Sequence, residues 1–185
     1  MAENSTSQSH TEHGAALSVA RRLARVLGLL SRPTGGLLAV VWYGFIYTMS
    51  SQSSLGRPGP ITGYWLLNTG HTLLFGLLAL WILLALPRHG GWPIVRLSST
   101  TLVLLLVLIL GALDELHQGN VPGRVMSASD VLTDLTGAAC VLWICSFSGG
   151  PHATEKGLRL RLLLCLTACA TAGGLATLSD NYLGW

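Results

Sequence analysis

The sequence predicts an all-α, polytopic membrane bundle of about five transmembrane helices with a cytoplasmic N-terminus, preceded by an amphipathic helix lying in the interface. Three observations carry that prediction. Half of the 185 residues are hydrophobic and only 10% are charged, where a water-soluble domain carries about 25% charged residues. The apolar residues fall into long runs that approach the roughly 20 residues needed to cross a bilayer. The basic residues sit beside those runs. One domain suffices for this length.

Residues 1–14 are polar, with Ser, Thr, Gln, Asn and His and almost no apolar content, the composition of a disordered tail. Residues 15–32 form a basic amphipathic helix. Arg21, Arg22, Arg25 and Arg32 recur at helical spacing while Leu23, Val26, Leu27 and Leu30 fill another face, the pattern of a helix lying in the interface.

Pro33 opens the first span, residues 34–49, with Ser50, Ser51 and Gln52 at its end. From Pro33 to Gln52 a helix measures about 30 Å, enough to cross. The long polar region before it argues against a cleaved signal peptide. The loop Gly56-Arg57-Pro58-Gly59-Pro60 leads to a second span, 64–86, which carries Asn68 and His71 in its first two turns. Pro87 to Gly91 reads as a loop. The third span covers 97–118, with Gly119 suited to the cap after it. Pro122-Gly123 suits a type II turn, with Pro second and Gly third.

The fourth span is 129–147, ended by Ser148-Gly149-Gly150-Pro151, and the fifth is 158–178. In the fifth, Ala168, Ala172 and Ala176 are four apart, as are Cys165, Cys169 and Gly173. Small residues at that spacing let membrane helices approach closely, so this span reads as packing. The four cysteines, completed by Cys140 and Cys145, have no CxxC spacing and read as small apolar residues.

Nine of the eleven Lys and Arg residues fall on one side of these spans; only Arg57 and Arg124 fall on the other. The positive-inside rule then puts the N-terminus in the cytoplasm and the C-terminus outside. The net charge of +3 comes with no long basic run and no nucleic-acid module, which excludes a nucleic-acid partner.

With that orientation, every strongly polar residue of the spans comes to the outer end of its helix. Gln52 ends span one, Asn68 and His71 begin span two, Asp114, Glu115, His117 and Gln118 end span three, and Asp130 and Asp134 begin span four. Asn68 and His71, three apart, share a face; so do Asp114 with His117 and Gln118, Glu115 with Gln118, and Asp130 with Asp134. Together with Arg124 these ten residues are the candidate lining of an outward-facing polar pocket.

Charges within membrane helices cost about 2.5–3.5 kcal/mol each at the bilayer centre and usually mark function or pair with each other. Asp114 and Glu115 have a plain alternative as solvated helix-end residues. Ser127-Ala128-Ser129-Asp130 matches a capping box, which explains Asp130 without any ligand. Asp134, one turn deeper, is explained less easily by either capping or solvation. Arg124 has three readings: an ordinary loop residue, a partner for Asp130 or Glu115, or a bidentate grip on an anionic group.

Glu115-x-x-Gln118, then Pro122-Gly123-Arg124, then Ser127-x-x-Asp130 with Gly137 beyond, resembles the signature of VanZ-like membrane proteins. Tyr47-x-x-Ser50-Ser51-Gln52 and the His71 helix resemble that family's two earlier motifs, in the right order. The likeness covers about residues 36–140. It implies a bacterial inner-membrane protein of a type associated with low-level resistance to the glycopeptide antibiotic teicoplanin. Glu115, Gln118, Arg124 and Asp130 carry over as signature positions, His71 and Gln52 less firmly. Asp134 stands where the family often has Asn, and Asn68 where a Lys is common.

The expected organisation is therefore a tail at 1–14, a basic helix at 15–32, a VanZ-like four-helix domain at 33–148, and an added transmembrane helix with a short outer tail at 149–185. The expected function is binding of, or action on, a cell-envelope molecule such as a lipid-linked precursor or a glycopeptide, amid membrane lipids. Two alternatives stand beside it. An intramembrane metal-dependent hydrolase or transferase has suitable ligands in His71, Asp114, Glu115, His117, Asp130 and Asp134. No HExxH-like spacing is present, so no metal or other cofactor is expected. A small transporter has Asp134 and His71 for a proton relay, but no internal repeat and few ionisable groups deeper in the spans.

Overall fold

A computed structural model of the chain describes residues 26–53, 61–89, 92–148 and 153–182. The expected tail at 1–14 lies outside the described residues, as does most of the basic helix at 15–32. The described part of that helix is one helical turn, 26–29.

Five helices follow: α1 (Arg32–Ser50), α2 (Ile61–Ala85), α3 (Leu97–Gln118), α4 (Ala128–Ser148) and α5 (Glu155–Tyr182). Between α2 and α3, β1 (Arg88–His89) and β2 (Trp92–Pro93) pair antiparallel, a short ladder where a loop was expected. The fold is all-α apart from it. Four helices, α2 to α5, are long and apolar enough to cross a membrane. The expected count of five is thus four by length and composition among the described residues. α1 has 19 residues, but Arg32, the Gly35-Gly36 pair and the Thr48-to-Ser50 end dilute its apolar stretch.

Burial is inverted relative to a soluble protein. Leu37, Val40, Leu66, Leu73, Leu105, Leu163 and Leu166 are exposed, whereas Asn68, Asp114, Glu115, Gln118, Asp130 and Asp134 are buried. Lipid solvates the first set and would not solvate the second. The chain is a multi-pass membrane protein.

α1 begins where Ser31 caps it, its Oγ accepting from the Thr34 amide at 3.2 Å, with Pro33 in the first turn where its missing N–H costs nothing. α2 occupies the centre and packs against every other helix. The core joins Phe75, Leu78, Ala79, Ile82 and Leu83 of α2 to Ile46, Val103, Val107, Ala138 and Leu142. Small residues let the helices close on it. At Gly137 of α4 an added Cβ would overlap the Thr72 carbonyl of α2, and at Gly173 of α5 it would overlap Thr69.

Side-chain donors add cross-links. Trp42 Nε1 donates to Leu74 O (2.9 Å), Tyr43 Oη to Leu110 O (3.1 Å), Trp65 Nε1 to Ala170 O (3.1 Å) and Trp92 Nε1 to Cys145 O (3.1 Å). At the opposite end from the polar residues, Arg88 donates to the carbonyls of Gly28, Leu30 and Leu84. That arginine ties the 26–29 turn to the end of α2.

α5 is three residues longer at its start and four longer at its end than its apolar run predicts. It buries Cys165, Cys169, Gly173 and Ala176 against α2 and α4, while Ala168 faces outward.

Candidate functional site

The end of α1, the start of α2, the end of α3, the start of α4 and the end of α5 meet at one end of the bundle. Four carboxylates are buried there: Asp114, Glu115, Asp130 and Asp134, at 1%, 3%, 7% and 1% exposure. Among the described residues their one ionic contact is His71 Nδ1 to Asp134 Oδ1, at 3.2 Å.

Gln118 organises the α3 pair. Its Nε2 donates to Asp114 Oδ2 at 2.9 Å and to Glu115 Oε1 at 3.1 Å, as residues three and four apart on one helix can. Ser50 Oγ from α1 donates to the same Asp114 oxygen at 2.8 Å. The amide of Ser127, just before α4, donates to Glu115 Oε2 at 2.7 Å. Glu115 is thereby held at both oxygens, and each keeps lone pairs for a further partner.

Asp130 does not take the capping role its spacing suggested. Ser127 Oγ bonds to Ser129 and to Asp180, and the Ser127 amide goes to Glu115. The Asp130 carboxylate is left facing the cluster, and its Oδ1 has no partner. Asp114 Oδ1 and Asp134 Oδ2 are likewise buried and unpartnered. Asp134 Oδ2 sits against α3, where a Cβ on Gly111 would come within 2.7 Å of it.

Unpaired buried carboxylate oxygens are rare in a folded protein and call for a partner, a water or an ion. Ligand atoms of His71, Glu115 and Asp130 all lie within 4.8 Å of one another, close enough to share one cation. Asp134 completes this arrangement. A carboxylate bonded to Nδ1 fixes the proton there and turns the Nε2 lone pair outward, the usual support of a metal-binding histidine. One imidazole nitrogen with carboxylate oxygens suits a borderline-to-hard divalent ion. The expectation of no metal rested on the lack of a local ligand spacing. Here the three donors come from α2, α3 and α4, so no single segment displays them.

The remaining expected residues are distributed differently. Gln52 lies exposed beyond α1 and its side chain joins none of these contacts among the described residues; Ser50, two positions earlier, makes the contact to Asp114 instead. His117 leaves the buried face, stacks on Tyr47 with ring centroids 4.1 Å apart, and bonds Ser51 Oγ at 2.9 Å. Asn68 is buried but faces α5, donating to Asp180 Oδ2 (3.0 Å) and Thr177 Oγ1 (3.3 Å).

Arg124 follows the expected turn. Gly123 has φ +83° and the Arg124 amide donates to Val121 O at 3.1 Å, the geometry of a type II turn with glycine at its third position. The Arg124 side chain has no carboxylate partner among the described residues, and its Nε is buried without an acceptor.

A family model described as VanZ/LLP1 matches residues 35–149, more than half of the chain. The chain belongs to the VanZ/LLP1 family. No curated protein and no solved structure shows significant similarity to it. The VanZ/LLP1 segment runs from the start of α1 to the end of α4 and so contains His71, the four carboxylates and Arg124. Asp180, on α5, lies beyond the VanZ/LLP1 segment. Nothing in the sequence reading pointed to it, because it follows the last apolar run and looks like the start of a tail.

Proposed function

We propose that this VanZ-family protein holds a divalent cation between His71, Glu115 and Asp130 and acts on a lipid-linked, phosphate-bearing molecule of the cell envelope. The observation that carries this reading is the set of unpartnered buried carboxylate oxygens beside a histidine already oriented by Asp134. Four ionised acids buried around one imidazole would leave an excess of negative charge, and burying ions without compensation costs several kcal/mol each. A cation relieves it.

When bound, a divalent ion supplies Lewis acidity toward a phosphoryl oxygen. Asp134 keeps His71 in one tautomer and orientation. Gln118 and the Ser127 amide hold Glu115, and Ser50 with Gln118 holds Asp114 beside it. Arg124, on the turn between α3 and α4, would grip the non-bridging oxygens of an anionic group in bidentate fashion. The reaction class this donor set suits is metal-assisted hydrolysis or transfer. The same site without turnover is a binding pocket for such a molecule.

With α1 as a fifth crossing, the distribution of basic residues orients the polar end away from the cytoplasm, in a bacterial inner membrane. The residues from α1 to α4 then form the family domain and α5 an addition to it. Envelope precursors are available on that side, which connects the reading to altered glycopeptide susceptibility.

The test is phosphate release from a polyisoprenyl diphosphate in proteoliposomes. Release that depends on Mn²⁺, is blocked by EDTA and is lost in Glu115→Gln supports the proposal. Release unchanged by EDTA and by Glu115→Gln contradicts it. Strains lacking the gene should also shift in teicoplanin susceptibility.

A further inference from the structure

We infer that Asp180, on α5 and outside the family segment, is a positioning residue that sets the geometry of Glu115 through Ser127. Asp180 Oδ1 accepts from Ser127 Oγ at 2.7 Å and from Ser129 Oγ at 3.0 Å, and Oδ2 accepts from Asn68 Nδ2 at 3.0 Å. The backbone amide of the same Ser127 donates to Glu115 Oε2 at 2.7 Å. A side chain from the last helix thus holds the residue that holds Glu115. The path is contiguous, and each link is a hydrogen bond of ordinary length.

Two features separate this role from plain helix docking. α5 is already fastened to α2 by Trp65 Nε1 to Ala170 O and by the Gly173–Thr69 approach, neither of which touches the acids. Asp180 instead converges on the two serines at the entry of α4, three residues and one residue before Asp130. Its carboxylate has acceptors enough for all three donors. It fixes the segment that carries both Ser127 and Asp130, and with it two of the three candidate cation donors.

The role rests on reading His71, Glu115 and Asp130 as a cation site, and the experiment separates the two claims. Mn²⁺ is titrated into the purified full-length protein and followed by electron paramagnetic resonance, for wild type, Asp180→Ala, Asp180→Asn, Ser127→Ala and the Asp180→Ala/Ser127→Ala pair. Thr177→Val removes a different α2–α5 hydrogen bond and serves as the docking control. Asp180→Ala is expected to weaken Mn²⁺ binding by about 10-fold or more, as loss of support to a ligand does, and to alter the Mn²⁺ spectrum. Asp180→Asn, which keeps the shape and can still bond the serines, restores most of the affinity. The double variant is no weaker than the weaker single, because the two residues act in series.

Thr177→Val lowers thermal stability and leaves the affinity unchanged. Wild type that binds Mn²⁺ while Asp180→Ala and Ser127→Ala bind it equally well, with the same spectrum, overturns the positioning role alone. Where Asp180→Ala fails to fold, unchanged affinity in Ser127→Ala overturns it. Wild type that binds no Mn²⁺ removes the cation site, and the role with it.

Discussion

His71 Nδ1 lies 3.2 Å from Asp134 Oδ1, joining α2 to α4 a few residues from the point where those helices come closest. The pair fixes the ring in a setting where ligand atoms of His71, Glu115 and Asp130 lie within 4.8 Å of one another. This makes Asp134 a support for the histidine and leaves the latter's lone pair free for an ion. Replacing Asp134 should therefore weaken Mn²⁺ binding without removing a donor. We expect a loss of about 10-fold for Asp134→Asn and nearer 100-fold for Asp134→Ala, the range found for such supporting carboxylates. A titration showing unchanged affinity in both variants would place His71 outside the cation site.

The α2–α4 crossing itself makes a sharp stability prediction. A Cβ at Gly137 meets the Thr72 carbonyl, a backbone atom that cannot rotate aside. Gly137→Ala should destabilise the bundle by about 1–3 kcal/mol, the cost of overpacking, and lower the melting temperature in detergent. Gly70, also on α2, has nothing within 4 Å of its added Cβ. Gly70→Ala should be neutral or stabilise by up to about 1 kcal/mol, since glycine is the poorer helix former. Equal effects at both positions would mean that the helices do not cross as described.

Arg124 should matter for the anionic ligand and little for the cation. Removing a charge-assisted hydrogen-bonding group costs about 1.5–3 kcal/mol. Arg124→Ala is thus expected to weaken binding of a polyisoprenyl phosphate by roughly 10- to 100-fold. Arg124→Lys recovers little of it, because a lysine cannot make the bidentate contact. Mn²⁺ affinity should stay near wild type. The opposite pattern, intact lipid binding with lost Mn²⁺ affinity, would make Arg124 part of the scaffold around the acids.

Much of the polar end was legible because each span has an apolar interior, so a polar residue at a helix end stands out and the alternating direction of the helices brings those ends together. What stayed hidden were the partners. Asp130 matched a capping box by spacing, yet Ser127 is drawn away by Glu115 and Asp180, which are 12 and 53 residues distant. Gln52 was named as a candidate lining residue, but α1 ends at Ser50, Gln52 lies exposed beyond it, and the contact from this helix end to Asp114 is made by Ser50. Asp180 was missed because hydropathy marks where an apolar run stops; α5 continues as helix past that point to Tyr182. In each case the deciding contact joins residues remote in sequence.

Sidedness can be tested independently of the chemistry. Val125, in the α3–α4 loop, is 76% exposed, and Ser98, at the other end of α3, is exposed as well. Val125→Cys should react with a membrane-impermeant maleimide in intact spheroplasts, and Ser98→Cys only after lysis. The native cysteines are buried or half-buried and give a low background. Reversed labelling would turn the polar end toward the cytoplasm.

The central claim is that the buried acids hold a cation, and metal stoichiometry tests it most directly. Protein purified in detergent is equilibrated with Mn²⁺, freed of unbound ion, and its manganese content measured for wild type and for Asp130→Asn. Tight binding at a single site in wild type, removed by EDTA and lost in Asp130→Asn while the fold is retained, is the predicted result. Wild type without bound manganese, or Asp130→Asn with as much as wild type, would contradict it.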